Sequence, residues 1–472
     1  MRKLKRYQPH SLPFGLFLVL VGALLLPAAA APRANAGSTD YWDSEDPLGS
    51  LPGPAPELLS QPQGVLINQP LASNYNSTLA LNVASGGQPG GFQPFQVDAN
   101  FSWTGVTAAG WNSPGNWSPS GPPGVGDTAL FDGVFFNQPN LTTGNTVGTL
   151  HMATGVTQNV TISADPGATL NISGLGIVGT GILIDNTNAF TLTISATLGI
   201  NNSQAWTNNS GNLFTVSGRV ALGGNAVTVN GTGDTRISGT VSGTGSVSDL
   251  IKDGSGTLTL TGTNTYSGGT VVTGGTLLVN NTAGSGTGTG SVTVTGSGTT
   301  LGGTGIISGP VTIFEGASVA PGNGGNNTGT LQTGTLTLSP TANFRVDING
   351  TTLGTFDQIQ VNTGGVIILN SNLVVTVGTT LSLGQTFTIL NKVPVGAIFG
   401  TFAGIPQGGT VTGSNGTVFQ VSYTGGTGND IVLTVVQPAV PEPSTWMAGA
   451  LATAGLAFTQ RHRLRTLIAF IR

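Results

Sequence analysis

One spacing constrains this chain more than any other feature. Residues 250–281 hold three short stretches that alternate or nearly alternate: Thr257-Leu258-Thr259-Leu260-Thr261, Thr270-Val271-Val272-Thr273 and Thr276-Leu277-Leu278-Val279. Corners rich in small and polar residues separate them: Asp253-Gly254-Ser255-Gly256, Ser267-Gly268-Gly269 and Gly274-Gly275. A period of two interrupted by such corners reads as strand and turn, not helix. Leu258 and Leu277 stand 19 residues apart, and so do Leu260 and Val279. This interval suits one coil of a β-solenoid, in which each coil lays its strands on those of the coil before.

Composition agrees with that architecture. Glycine accounts for 76 of the 472 residues, 38% of the chain is hydrophobic and only 7% is charged. Disordered chains combine low hydrophobicity with high charge, so disorder is not the default here. Glycine supplies positive-φ corners, and Thr and Val favour strands. Between Gly37 and Val440 the cations are Arg219, Arg236, Lys252, Arg345 and Lys392, set against 17 acids. A body so poor in Lys and Arg lacks the footprint of a nucleic-acid-binding protein. No cysteine is present, which rules out disulfides, a thiolate nucleophile and cysteine metal ligands.

The opening stretch also resembles a known repeat. Lys252-Asp253-Gly254-Ser255-Gly256-Thr257-Leu258-Thr259-Leu260, Asn264-Thr265-Tyr266-Ser267-Gly268-Gly269-Thr270 and Gly275-Thr276-Leu277 are similar to the autotransporter-associated β-strand repeat. The resemblance implies a passenger-like parallel β-helix in a secreted bacterial protein, and it implies no catalytic residue. The segments Leu301–Val311, Ala320–Asn323, Phe344–Gly350, Phe356–Ile359 and Phe399–Phe402 resemble downstream parts of such passengers. No run of alternating membrane strands with aromatic girdles follows, so an outer-membrane translocator barrel is not expected within this sequence.

Taken in order, residues 1–36 read as a signal peptide: a basic start at Arg2–Arg6, an apolar run at Leu16–Leu26, and a small-x-small end at Ala34-Asn35-Ala36, with cleavage expected after Ala36 and Ala29–Ala31 as the alternative site. Residues 37–95 form a Pro-rich leader or linker. Residues 96–145 hold Trp103, Trp111 and Trp117. These indoles either close the hydrophobic end of a solenoid or offer a platform for sugar stacking, and the cap is the favoured reading. Residues 146–345 are assigned to the solenoid, with the repeat at 250–281. Ile177–Ile184 is read there as a strand buried on both faces. Residues 346–437 are expected to form a β-rich region, continuous with the solenoid or packed on its end.

Residues 438–466 carry the targeting information. Pro441-Glu442-Pro443-Ser444-Thr445 precedes an apolar run from Trp446 to Phe458, which ends on Arg461, Arg463 and Arg465, with a tail at 467–472. This resembles a PEP-CTERM sorting signal. The resemblance implies processing by an exosortase-type membrane protease, transient residence of the C-terminal helix in the inner membrane, and a final place at the cell surface or in the extracellular matrix of a Gram-negative-type bacterium. Physical chemistry points the same way: the prolines exclude helix before Ser444, and arginines remain cytoplasmic.

Candidate chemistry is sparse. His151 is the one histidine between Gly37 and Val440, so neither a Ser-His-Asp triad nor a His-based metal site is expected. The acids Asp165, Asp185, Asp234, Asp249, Asp253, Glu315, Asp347 and Asp357 are scattered. Gly425-Gly426-Thr427-Gly428-Asn429-Asp430 fits a calcium-binding β-roll repeat, but once only, which favours a plain turn. Thr-x-Thr steps on a few coils fall short of an ice-binding face, and Gly-x-Gly pairs without a following helix fall short of a phosphate loop. The expectation is therefore an all-β, right-handed parallel β-helix with no catalytic, cofactor or metal site. It acts as a structural or adhesive protein with extracellular polysaccharide as a possible partner. A polysaccharide-degrading β-helix is the alternative, and it requires acids brought together by coil stacking.

Overall fold

The computed structural model describes residues 99–439 apart from 176–178, 186, 188, 246–248 and 326, and also describes residues 451–457 and 460–461. The stretches read from the sequence as signal peptide and leader, the Pro-Glu-Pro motif and the tail lie outside the described residues.

The chain winds as a parallel β-helix. Among the described residues one sheet has 14 strands, from Trp117–Ser118 at one edge to Phe399–Thr401 at the other. A second has 11, from Asn140–Leu141 to Asn372–Val377, and a third has five, from Asn145–Val147 to Val241–Ser242. Successive coils place a strand on each sheet in parallel. The 19-residue spacing is the register itself: Leu258 lies opposite Leu277 and Leu260 opposite Val279. The inward column then continues from Leu277 through Leu301, Val319, Phe344 and Leu373, every one buried. Each fully buried side chain of this size contributes about 1.5–3 kcal/mol, so stacked apolar columns rather than any single contact hold the shaft together.

Coil length is not constant. The offset along the first sheet is 19 residues from Val294 to Ile313, 25 from Ile313 to Leu338 and 30 from Leu338 to Ile368. The strands stay in register because the extra residues leave at the corners. Where corners stack tightly, glycine is required: a Cβ on Gly239 would lie 1.9 Å from the Gly218 carbonyl oxygen, and one on Gly262 would lie 2.5 Å from that of Gly239.

The third side changes character along the axis. Beyond Ser242 its strands give way to single backbone bonds, Asn264 N–H to Ser285 O at 2.8 Å, Gly286 N–H to Ile306 O at 2.8 Å and Ile307 N–H to Gln332 O at 2.9 Å. A fourth sheet of six strands takes over at Thr330–Thr333.

Both ends of the shaft depart from parallel pairing. At the start, Trp117–Ser118 runs antiparallel to Asn100–Trp103 and covers the open edge of the first sheet. At the far end the coils continue well past residue 345. Asn343–Ile348 pairs in parallel with Asn372–Val377, and Val366–Leu369 with Phe399–Thr401. Only the last part of the fourth sheet is antiparallel, with Thr386–Lys392, Asp430–Gln437, Val418–Gly425 and Thr410–Thr412 side by side. Phe387, Phe402 and Phe419 are buried there and close the core. Such end structures remove the unpaired edges that invite aggregation.

Composition suggests that Ile177–Ile184 is buried on both faces, but its described strand, Thr180–Ile184, is not. Within Thr180–Ile184, Gly181, Ile182 and Ile184 are buried while Leu183 is half-exposed and lies opposite His151. The strand forms an ordinary outer wall of the shaft.

Candidate functional site

The repeat at 250–281 is a coil whose signature residues satisfy its own backbone. Lys252 points inward, in a column between Val229 and Val272, and is 2% exposed. Its ammonium donates to the carbonyls of Asp253 at 2.6 Å, Gly254 at 2.8 Å and Gly274 at 3.2 Å. Burial draws its pKa down from 10.5 to about 8, and the nearby carboxylates of Asp253 and Asp234 oppose that shift. Asn264, also buried, accepts from Val241 N–H at 2.8 Å and donates to Gly286 O at 2.6 Å. It thereby bridges three coils where the third side has lost its strands. Tyr266 fills the core, with its hydroxyl 2.6 Å from Thr270 Oγ1, and burial pushes its pKa up. Lys392 repeats the lysine device near the far end, donating to the carbonyls of Pro394, Val395 and Gly396. These residues specify shape.

The other singled-out residues fall at separate places. Trp103, Trp111 and Trp117 form one buried cluster, with ring centroids 4.9 Å apart for Trp103–Trp117 and 4.8 Å for Trp111–Trp117. No ring face is open for stacking on a sugar. Asn116, fully buried, organises the loop around them through Thr107, Ala108 and Gly110. His151 Nε2 lies 3.2 Å from Asp185 Oδ1 on the outside of the first sheet. Asp430 follows the turn between the last two strands, and its oxygens accept from Lys392 N–H at 2.9 Å and Thr427 N–H at 3.3 Å. The β-roll-like motif therefore spends its carboxylate on backbone. Among the described residues no cluster of three or more His, Asp or Glu is placed to hold a metal ion.

Of the acids, Asp357 is the most perturbed. It is 1% exposed and accepts from Gly329 N–H and Asp347 N–H, each at 2.9 Å. Burial raises its pKa from 3.8 to about 7; the two N–H donors oppose the shift, and the charge of Asp347 adds to it. Asp357 lies beneath the surface, whereas Asp347 lines a groove on the outer face of the second sheet.

That groove has a volume of about 470 Å³. Size explains it. The outward row along the second sheet runs from Thr259 to Leu278, Gly302 and Ala320, and resumes with Arg345 opposite Val374. Two small residues between larger ones leave a hollow. A Cβ on Gly302 would already sit 2.7 Å from Ala320 O, so no larger residue fits there without moving backbone. The six residues added between Ile313 and Leu338, relative to the preceding coil, supply a rim at Pro321–Gly325, and Asn280 Nδ2 ties down Asn323 Oδ1 at 2.7 Å. Thr276, Thr300 and Thr376 add hydroxyls.

Of the residues expected to direct export, only Arg461 is among the described residues. Ala34 and Ala36, Pro441, Glu442, Pro443, Ser444 and Thr445, and Arg463 and Arg465 lie outside the described residues. Arg461 is helical and exposed, as are residues 451–457. Among the described residues no helix is long and apolar enough to cross a membrane.

No curated protein matches the chain. The family described as the passenger-associated-transport-repeat matches residues 250–279, the coil in which Lys252, Asn264 and Tyr266 lie buried.

Proposed function

We propose that this protein is a secreted structural scaffold of the cell surface or extracellular matrix, adhesive rather than catalytic, and sorted through its C-terminal Pro-Glu-Pro segment. One observation carries the reading: the passenger-type repeat is an integral coil of a long parallel β-helix whose specialised buried residues serve its own backbone. The outer faces support multivalent contact. An outward row on the second sheet runs Thr161, Thr193, Thr215, Arg236 and Thr259, one residue per coil at about 4.8 Å spacing. Weak contacts repeated along such a surface add as avidity, which suits a polymer such as extracellular polysaccharide. The basic run at Arg2–Arg6 and Arg461, Arg463 and Arg465 at the other end agree with a body exported between two cytoplasmic flanks.

Cell fractionation tests the sorting step. The full chain is expected on the cell surface or in the matrix. A chain ended before Val440 is expected to leave the cell without being retained there. An unchanged location for the truncated chain would refute sorting by this segment.

A further inference from the structure

We propose that the groove between Leu278 and Val374 is a binding site for an acidic oligosaccharide, with Arg345 receiving a uronate-type carboxylate. The proposal deepens the surface-contact reading above and rests on it.

Three features single the groove out from the rest of the shaft. It is made by the Gly302–Ala320 gap in the outward row and walled by a six-residue insertion, whereas the neighbouring coils present continuous side chains there. Its volume of about 470 Å³ lies within the range of small-ligand sites. It also holds one of only five cations in the exported body.

The charge arrangement selects the ligand. Arg345 Nε donates to Ser318 Oγ at 3.2 Å, which orients the guanidinium, and no acid among the described residues lies within ion-pair distance of it. Its remaining N–H donors form a planar fork suited to a carboxylate. Asp347, two residues along the same strand and on the same face, makes no ion pair with Arg345. It is an acceptor for ligand hydroxyls, and its negative charge disfavours a dianion such as phosphate. Leu278, Val374 and Pro321 supply apolar surface for the C–H faces of a sugar ring, and the threonines bond its hydroxyls. A polyhydroxylated ligand with a single negative charge per ring satisfies all of these groups. The groove spans strands from five coils and so crosses about 19 Å at the strand spacing, which favours a short stretch of polymer over one sugar.

The test is calorimetric titration of the full-length chain with tetragalacturonic acid and with neutral cellotetraose, in chelator. The acidic tetrasaccharide is expected to bind at least about tenfold more tightly than the neutral one. Arg345→Gln is expected to weaken it about tenfold or more, as loss of a charge-assisted hydrogen bond dictates. Asp347→Asn, which keeps the fold's backbone bonds, is expected to weaken it less. Arg219→Gln, at an exposed position beside the third sheet and outside both the groove and the outward row, is expected to have no effect. Equal binding of the two sugars, no acidic binding at all, or equal losses from Arg345→Gln and Arg219→Gln would each overturn the proposal. If the wild-type chain binds matrix polysaccharide but Arg345→Gln binds the acidic tetrasaccharide as tightly as wild type, the groove is refuted and the surface reading stands. If the wild-type chain binds no matrix polysaccharide, the surface reading itself fails.

Discussion

Replacing Lys252 by methionine keeps the inward aliphatic stem and removes the ammonium. Three carbonyl oxygens, those of Asp253, Gly254 and Gly274, then lose their donor. Three hydrogen bonds from a charged donor, at about 1.5 kcal/mol each, amount to roughly 4–5 kcal/mol. Against this stands the desolvation the ammonium already bears. Its pKa falls from 10.5 to about 8, which corresponds to roughly 3 kcal/mol, discounted to about 2 because solvent still screens part of the charge. The expected net loss in Lys252→Met at pH 7 is therefore about 2–3 kcal/mol. The folded-state pKa is depressed, so the charged form is the penalised one. Wild-type stability rises as pH increases from about 8 towards 10.5, and the deficit of the variant widens over that window rather than closing. A shaft stabilised by nearest-neighbour coils localises the damage. Amide exchange should accelerate at Asp253, Thr273 and Thr276, which bond to the adjoining coils, and should remain unchanged at the terminal sheet. Urea unfolding and native-state hydrogen exchange measure both quantities. A variant within about 0.5 kcal/mol of wild type, with unchanged exchange at this coil, would refute the assignment of Lys252 as a buried clasp.

Further consequences follow from the other buried polar groups. Asp357→Asn should flatten the pH dependence of stability. Because the folded pKa is raised to about 7, wild type loses on the order of 3 kcal/mol as pH climbs from about 4 through 7, and the amide variant should lack that fall in pH-dependent urea melts. Asn264→Ala leaves Val241 N–H and Gly286 O unpaired where the third side is thinnest, and should cost about 2–3 kcal/mol by thermal unfolding. Asp430→Ala removes the acceptor for Lys392 and Thr427 N–H and should fray the last hairpin, raising its exchange rates by a local loss of about 2 kcal/mol, whether or not calcium is supplied.

Much of this architecture was legible in the residues. The interval between Leu258 and Leu277 is the coil register, because an inward column requires apolar residues one coil apart. The inward turn of Lys252 also carried a signal. Leu250 and Lys252 share the parity of one strand face, with Ile251 outward between them, but polarity argues against burying a lysine and masks that parity. The role of Asn264 was hidden because it depends on single backbone bonds replacing strands on the third side among the described residues, which is a property of the stack. The groove was hidden for a related reason. Leu278, Gly302, Ala320 and Arg345 lie in one row only because the intervening corners absorb coils of unequal length, and no fixed sequence period connects them. The continuation of parallel coils beyond residue 345 was obscured in the same way, since the longer offsets there read as longer independent strands.

Mass spectrometry of the protein recovered from outside the cell tests export and sorting together. The expected mature chain begins at Gly37, ends within residues 440–445, and lacks Arg461, Arg463 and Arg465. Extracellular protein that still carries Met1 or extends through Arg465, or a chain found only in the cytoplasm, would contradict it.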